Sequence, residues 1–367
     1  MRAYFQSGLA IFTDMEKNEY LVLGIMSGTS LDGIDVALLK FHRKLSWEYK
    51  IITADTFPYP EAWKKKLAEA VFYEEPQLEK LNKEYTIFLA ELITDFIREH
   101  DLKNLDAVCS HGHTIKHEPQ NGYTLQIGNL PELAKLTGQT VVCDFRVQDV
   151  ELGGQGAPLV PIGDELLFGD YDYCLNLGGF ANISTNIDGK RIAYDICAVN
   201  TVMNQLAEKL GKPYDRNGEI AASGDLDPEL LQKLESLEFY RLEPPKSLGI
   251  EWVNQHIFPL LKNIDVRTAL HTYAVHVAGQ IASCFDNQPS SRILVTGGGA
   301  FNGFLMEEIK KKTDSLICMP SAELVNNKEA LIFGFLGILR LRGEINVLGS
   351  VTGAARDHSS GKIYLPA

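Results

Sequence analysis

The stretch Gly24-Ile-Met-Ser-Gly-Thr-Ser-Leu-Asp-Gly-Ile-Asp35 concentrates residue types that can do chemistry. It holds three glycines, a set of hydroxyl-bearing and acidic side chains, and almost nothing bulky. Leu21-Val22-Leu23 leads in and Val36-Ala37-Leu38-Leu39 leads out. This pattern predicts a β-hairpin whose tight turn presents successive backbone N–H groups. Such a concavity suits phosphate. Asp32 and Asp35 would repel phosphate without a cation between them, so the phosphate reading implies Mg²⁺, with Asp32 as the candidate ligand. The ordinary alternative is a glycine-rich turn with no ligand, since Gly, Ser and Asp are common turn residues. A second stretch of interest is Gly297-Gly298-Gly299, which follows the apolar run Ile293-Leu294-Val295 and precedes a helical pattern. Three glycines there let a flat ring or a sugar approach the backbone, and a helix N-terminus adds a positive dipole end. That reads as an adenosine seat, or else as a plain strand-to-helix turn. A P-loop is missing, and Asn302 stands where a dinucleotide fingerprint needs its third glycine.

The elements that must carry these turns fall into two series. The first hairpin is followed by a strand from Trp47 to Asp55, helical composition over Glu61 to Phe72, and an amphipathic helix over Pro76 to His100. Its apolar positions Leu81, Tyr85, Phe88, Leu89, Leu92 and Phe96 keep a three-to-four spacing. Short strands at Leu105 to Ser110 and Tyr123 to Ile127, a helix at Leu130 to Leu136 and a strand at Thr140 to Phe145 complete the series. The second half repeats it. A strand at Tyr173 to Leu177 runs into Gly178-Gly179. Strands follow at Phe180 to Asn186 and Lys190 to Asp195, joined at Asp188-Gly189. Helices are predicted over Ala198 to Leu210 and Ala269 to Phe285, then a strand at Arg292 to Thr296, a helix at Gly303 to Lys312, a strand at Leu316 to Met319 and a long helix at Asn327 to Arg342. The expectation is an α/β chain of two domains with a duplicated βββαβαβ order, facing each other across a nucleotide and substrate cleft. The domains would be 19–145 and 146–367. The second would carry an insertion near 213–261 and a C-terminal tail able to pack back on the first. The insertion would shape a substrate pocket or be a surface elaboration.

Length and composition agree with two soluble globular domains: 367 residues, 45% hydrophobic and 23% charged. A net charge of −13 argues against nucleic acid or an anionic membrane surface as the main partner. The six cysteines form no CxxC pair and are expected as reduced thiols in a cytoplasmic protein. The longest apolar run, Ala330 to Leu339, is too short to span a bilayer. It would serve the core or a homodimer contact. Met1 to Asn18 lacks the pattern of a signal peptide and reads as a disordered leader.

His111, His113, His117 and Glu118 have a spacing that could suit zinc, sugar contact or plain structure. Arg146 could form a bidentate fork with a carboxylate, or pair internally with Asp144 or Asp149. Gln155, in a Gly-Gly-Gln-Gly turn, could hydrogen-bond a sugar or hold the crossing between domains.

The block Gly24 to Asp35 closely resembles the signature of the anhydro-N-acetylmuramic acid kinases. So do Asp144-Phe-Arg146 with Asp149 and Gly153-Gly-Gln-Gly-Ala-Pro-Leu159. Asn176-Leu-Gly-Gly-Phe-Ala-Asn182 and Gly297-Gly-Gly-Ala-Phe-Asn302 are similar to two further blocks of that family. The resemblance runs from Leu21 to Ser350-Val-Thr-Gly-Ala354. It implies two RNase H-like domains of the actin, sugar kinase and heat-shock ATPase superfamily. It also implies an ATP- and Mg²⁺-dependent kinase that opens 1,6-anhydro-N-acetylmuramic acid with water and phosphorylates O6, in cell-wall recycling. By family position Asp195 is the general base, with a helix N-cap as its structural alternative. The ATP set is Gly28, Thr29, Ser30, Leu31, Asp32, Gly33, Ile34, Asp35, Gly178, Gly179, Asn182, Gly297, Gly298, Gly299 and Asn302. The sugar set is His111, His113, Thr114, Glu118, Arg146, Gln155 and Asn200.

The sequence departs from the family pattern at three places. Where Asp-Thr-Gly-Pro-Gly-Asn is usual, it has Asp195-Ile196-Cys197-Ala198-Val199-Asn200. His113 replaces a usual Gln, and Val147-Gln148 follow Arg146 where polar or basic residues are common. These changes are expected to cluster at the sugar. They motivate two alternatives: a kinase for another sugar or anhydrosugar, and a catalytically silent nucleotide-binding sensor.

Overall fold

The computed structural model describes residues 17–28, 30–286 and 288–366. The leader expected at residues 1–18 lies, for residues 1–16, outside the described residues. The chain divides into two compact units, residues 1–167 with 327–367, and residues 168–326.

In the first unit β1 (Glu19–Ser27), β2 (Gly33–Arg43) and β3 (Trp47–Pro58) form an antiparallel meander. β4 (Ala107–Glu118) lies parallel to β1, and β5 (Tyr123–Ile127) folds back on β4 as a hairpin. β6 (Val141–Cys143) lies parallel to β4, and β12 (Lys362–Tyr364) adds antiparallel at the edge. The order is β12-β6-β4-β1-β2-β3. β1 is a nearly unbroken apolar run because both of its faces are covered. On one face Leu23, Ile25, Val36 and Leu38 meet helix α1 (Glu75–Glu99) through Leu81, Tyr85, Leu89, Ile93 and Phe96. A Glu74/Gln77 capping box opens that helix. On the other face glycine permits close packing. A Cβ on Gly24 would fall 2.1 Å from the Ala330 carbonyl oxygen, and one on Gly337 would fall 2.2 Å from Cys109 Sγ. The apolar part of the helix Ala322–Leu341 thus lies directly on this sheet.

The second unit repeats the order. β7 (Tyr173–Leu177), β8 (Phe180–Ile187) and β9 (Lys190–Ala198) are antiparallel. β10 (Arg292–Thr296) is parallel to β7, and β11 (Leu316–Cys318) is parallel to β10. The order β11-β10-β7-β8-β9 is that of the first sheet without its additions. The helix Val266–Ala282 is apolar on nearly all sides and runs through the core, burying Leu270, Tyr273, Val277 and Ile281. The insertion is structural as well as peripheral. Leu230, Leu234, Val253, Ile257 and Leu261 all belong to the same core.

Three expectations need correction. The division falls at 167/168 rather than 145/146, and the return to the first unit, expected of a C-terminal tail, begins already at residue 327 within the helix Ala322–Leu341. The physical reasons are the pairing of β12 with β6, a contact of Gly163 with Ile332, and a buried Asp164–Lys328 ion pair at 2.7 Å. β4 does not stop at Ser110 but continues through His111-Gly112-His113 to Glu118, because β5 supplies a partner for its second half. The helix expected from Ala198 begins at Asn200, since Ile196, Cys197 and Ala198 still belong to β9.

Candidate active site

The turn Gly28–Asp32 joins β1 to β2. Leu31 adopts a left-handed conformation (φ 60°), and its N–H lies 3.4 Å from Gly28 O. Thr29 lies outside the described residues. Ser30 and Asp32 are exposed, whereas the Ile34 side chain is wholly in the core. Ile34 can therefore serve a ligand only through its backbone. Gly33 is required by space, because a Cβ would sit 2.5 Å from Phe57 O. Asp35 Oδ1 accepts a hydrogen bond from Thr56 Oγ1 at 2.6 Å. Burial raises the Asp35 carboxyl above its usual range; Thr56 opposes this and the neighbouring Asp32 charge adds to it. Asp32 is thus the more available carboxylate. Among the described residues no three His, Cys, Asp or Glu side chains group as metal ligands. An exposed Asp32 beside a phosphate-sized turn does fit Mg²⁺, which binds through one or two carboxylates plus phosphate oxygens.

Beneath this turn lies a buried polar chain. His113 Nδ1 is 2.8 Å from Ser27 Oγ, Ser27 Oγ is 2.6 Å from Tyr59 Oη, and Tyr59 Oη meets Tyr85 Oη. His113 is 2% exposed, and burial lowers it to about 4, so its ring is neutral. Its expected contact with a sugar is not what the fold provides. The ring instead supports Ser27, the last residue of β1. His111 is 3% exposed, and burial beside the Arg146 charge holds it well below the usual imidazole range. It too is an internal residue rather than a sugar contact, and it acts through Arg146.

Arg146 donates from Nε to His111 Nε2 at 2.8 Å and from Nη1 to Gly156 O at 2.6 Å. Burial lowers its guanidinium to about 10, while the charges of Glu329 and Asp149 oppose the shift. Neither expected internal pairing of Arg146 forms a direct bond. Asp144 pairs with Lys362 at 2.6 Å, and Asp149 accepts from Gly156 N–H and Thr352 Oγ1. Thr114 is half-buried beside Gln126, at 3.4 Å. Glu118 is exposed at the far end of β4 and accepts from Asn121. Gln155 is exposed, and its backbone N–H donates to Thr352 O at 2.8 Å. His117 Nδ1 is engaged with Thr124 at 3.0 Å. Among the described residues His111, His113, His117 and Glu118 do not group as metal ligands.

In the second unit the turn Gly178-Gly179, the loop Gly297–Gly299 and the start of the helix Asn200–Glu208 converge. A Cβ on Gly297 (φ 81°) would lie 2.6 Å from Asn176 Oδ1, and one on Gly299 would lie 2.8 Å from Leu177 Cβ. Asn200 Nδ2 donates to Leu177 O at 3.3 Å and lies beside Gly298. Asn200 therefore groups with the glycines rather than with Asp195. Asn302 is 8% exposed, and its side chain accepts from Leu305 N–H as a helix cap. Its Oδ1 is thus engaged in the fold.

Asp195 sits where β9 carries a bulge, opposite the exposed Asn182 on β8. Bulges re-aim side chains at functional sites. It is not a helix cap: the helix begins at Asn200 with Val199 at its N-cap and no side-chain bond there. Burial raises the Asp195 carboxyl above its usual range, opposed by hydrogen bonds from Leu248 N–H and Ser247 Oγ. The altered residues after it point inward. Ile196 is 2% exposed, and Cys197, Ala198 and Val199 are 0% exposed, all in the core of the second unit.

The repeated sheet order, with a glycine turn in the first hairpin of each copy, defines a duplicated RNase H-like α/β fold. Residues 20–366 match the family model described as anhydro-N-acetylmuramic acid kinase. The chain is 34% identical over 373 residues to the anhydro-N-acetylmuramic acid kinase of Pseudomonas savastanoi pv. phaseolicola, covering 94% of this chain and 99% of that one. It is 33% identical over 388 residues to the enzyme of that name from Caldanaerobacter subterraneus subsp. tengcongensis, covering 95% and 98%. Component A of the (R)-2-hydroxyglutaryl-CoA dehydratase of Acidaminococcus fermentans is similar at 12% identity and a TM-score of 0.45, over 88% of this chain and 99% of that one. The chain belongs to the anhydro-N-acetylmuramic acid kinase family. It is a phosphotransferase, and no helix among the described residues is long and apolar enough to cross a membrane.

Several residues at these sites escaped the sequence reading. Ser27 and Tyr59 look like ordinary strand residues, and only the fold brings them to His113. Glu329 opens an apolar helical run, where a lone carboxylate was the available signal; its charge acts on Arg146, and the Asp35 charge acts on it. Ser247 and Leu248 lie in the least periodic stretch of the chain, and nothing in it marked them.

Proposed function

We propose that this chain hydrolytically opens 1,6-anhydro-N-acetylmuramic acid and transfers the γ-phosphoryl group of ATP to the released O6. The products are N-acetylmuramic acid 6-phosphate and ADP, and the setting is cytoplasmic recycling of cell-wall fragments. Asp195 carries the reading. It is a partly buried carboxylate at a β-bulge, with hydrogen bonds to one oxygen and none from the described residues to Oδ1. In the reaction a water attacks the anomeric carbon and gives its proton to Asp195. The bond from that carbon to O6 breaks, and O6 attacks the γ-phosphorus as ADP leaves. A base positioned this way contributes roughly 10²–10⁴-fold.

The other residues divide by unit. The Gly28–Asp35 hairpin offers backbone N–H groups to phosphate oxygens. Asp32 would hold Mg²⁺, which would neutralise charge on the transferring phosphoryl group. The exposed Gly298, held in place by the tightly packed Gly297 and Gly299 beside Gly178, Gly179 and Asn200, offers its backbone to an adenosine. Arg146, held at Nε and Nη1, has Nη2 left to meet the lactyl carboxylate. The inward direction of Ile196 to Val199 supports the family substrate, because residues that fill the core do not reshape a sugar pocket.

The test is Asp195→Asn, assayed for sugar-dependent ADP release and for the phosphosugar by mass spectrometry, with ATP binding followed by calorimetry. Turnover is expected to fall about 10²- to 10⁴-fold while ATP still binds. Near-native turnover would remove Asp195 from the base role, and ADP release with other sugars alone would reassign the acceptor.

A further inference from the structure

Part of the insertion returns to the edge of the second sheet at one residue. β9 is an edge strand, and at Asp195 its outer N–H would have no sheet partner. Lys246 O accepts that N–H at 2.9 Å. Two residues on, Leu248 N–H donates to Asp195 Oδ2 at 2.8 Å. Between them Ser247 Oγ donates to the same oxygen at 3.1 Å. The segment is anchored behind this contact. Lys246 Nζ donates to Phe239 O at 3.2 Å and sits 4.8 Å over the Phe239 ring, which is 5% exposed and packs against Trp252.

The asymmetry between the two carboxylate oxygens matters. Oδ2 takes both hydrogen bonds and Oδ1 takes none from the described residues. A carboxylate fixed by one oxygen cannot rotate freely, so its other oxygen has a defined direction. We propose that Lys246–Leu248 is a bracket that positions Asp195, with Ser247 as the side chain that holds Oδ2 and leaves Oδ1 to the attacking water. This rests on Asp195 being the base. It gives the insertion a role in the chemistry that a loop covering the surface would not have. Ser247 touches only Asp195 in this argument, so it is a positioning residue and not a catalytic one.

A donor to a carboxylate favours its charged form, so deleting the donor makes the proton harder to remove. Ser247→Ala should therefore move the acid limb of the kcat/KM profile for anhydrosugar phosphorylation to higher pH by about half a unit. Turnover at neutral pH should fall about 3- to 10-fold, with KM for ATP unchanged. Ser247→Thr, which keeps a hydroxyl, should restore the wild-type limb. Ser247 is exposed, so the alanine variant is not expected to unfold. An unmoved limb and native turnover in Ser247→Ala, alongside an inactive Asp195→Asn, would overturn the bracket and keep the base. An active Asp195→Asn would overturn the base and the bracket with it.

Discussion

Arg146 donates its Nε–H to the Nε2 of His111 across 2.8 Å, the imidazole buried and the arginine half-buried. His111 Nδ1 is 2.9 Å from Gly112 O, so Nδ1 carries the proton and Nε2 keeps its lone pair for the arginine. A neutral histidine thereby steers a half-buried cation. Its side chain holds the guanidinium plane while Gly156 O fixes a second edge.

That geometry predicts the outcome of Arg146→Lys. An ammonium cannot satisfy His111 and Gly156 together and still present a fork to a carboxylate. KM for the anhydrosugar should rise about 10- to 100-fold, with binding of ATP unchanged. Steady-state kinetics with each substrate varied checks this. An unchanged sugar KM would take Arg146 out of substrate recognition.

The glycines of the hairpin should separate fold from ligand. At Gly28 a Cβ would meet nothing nearer than 3.5 Å, whereas at Gly33 it would fall 2.5 Å from a backbone oxygen. Gly28→Ala should fold with a melting temperature near that of wild type and raise KM for ATP. Gly33→Ala should lose about 1–3 kcal/mol of stability from overpacking. Calorimetric melting of both variants, beside ATP titrations, distinguishes the two effects. A native KM for ATP in Gly28→Ala would argue against the turn as a phosphate cradle.

Buried neutral histidines make the protein sensitive to acid. His276 is fully buried against Tyr240 and Tyr273, its ring nitrogens have no hydrogen-bond partner among the described residues, and burial lowers it to about 3. Its folded value lies below its unfolded one, so the unfolded chain takes up the proton first as pH drops. Stability is complete above about pH 6.5 and is lost progressively below it. His276→Phe removes this one proton. At pH 5 the variant should gain about 2 kcal/mol relative to its difference from wild type at pH 8. That is a relative rise in melting temperature of about 4–8 °C. Taking the difference between two pH values cancels any repacking by the larger ring. An equal effect at both pH values would show that His276 does not stay neutral in the folded state.

The departures from the family pattern show how far residue identity can be read without the fold. Ile196 to Val199 and His113 depart from the family pattern beside candidate site residues, and a reading of the sequence alone puts them against the sugar. The structure turns each of them inward, Ile196 to Val199 into the core beneath β9 and His113 onto Ser27. A side chain beside a functional residue in sequence faces either the ligand or the interior. Alternation along a strand settles that only once the register is known, and the bulge at Asp195 interrupts the alternation.

By itself the sequence determined the repeated strand order, the glycine turns, the long amphipathic helix and the family, because each is written in local spacing or in a contiguous block. Hairpins and helices are formed by residues close in the chain, so their signals survive without a fold. Only the tertiary structure decided that the return to the first unit begins as early as residue 327, that Asn302 is a cap, that Arg146 is aimed by His111, and that Ser247 reaches Asp195 across a separation of 52 residues. Those are contacts between segments with no common period. Their partners are chosen by which edge is left unpaired and which face is left uncovered once the sheets have formed.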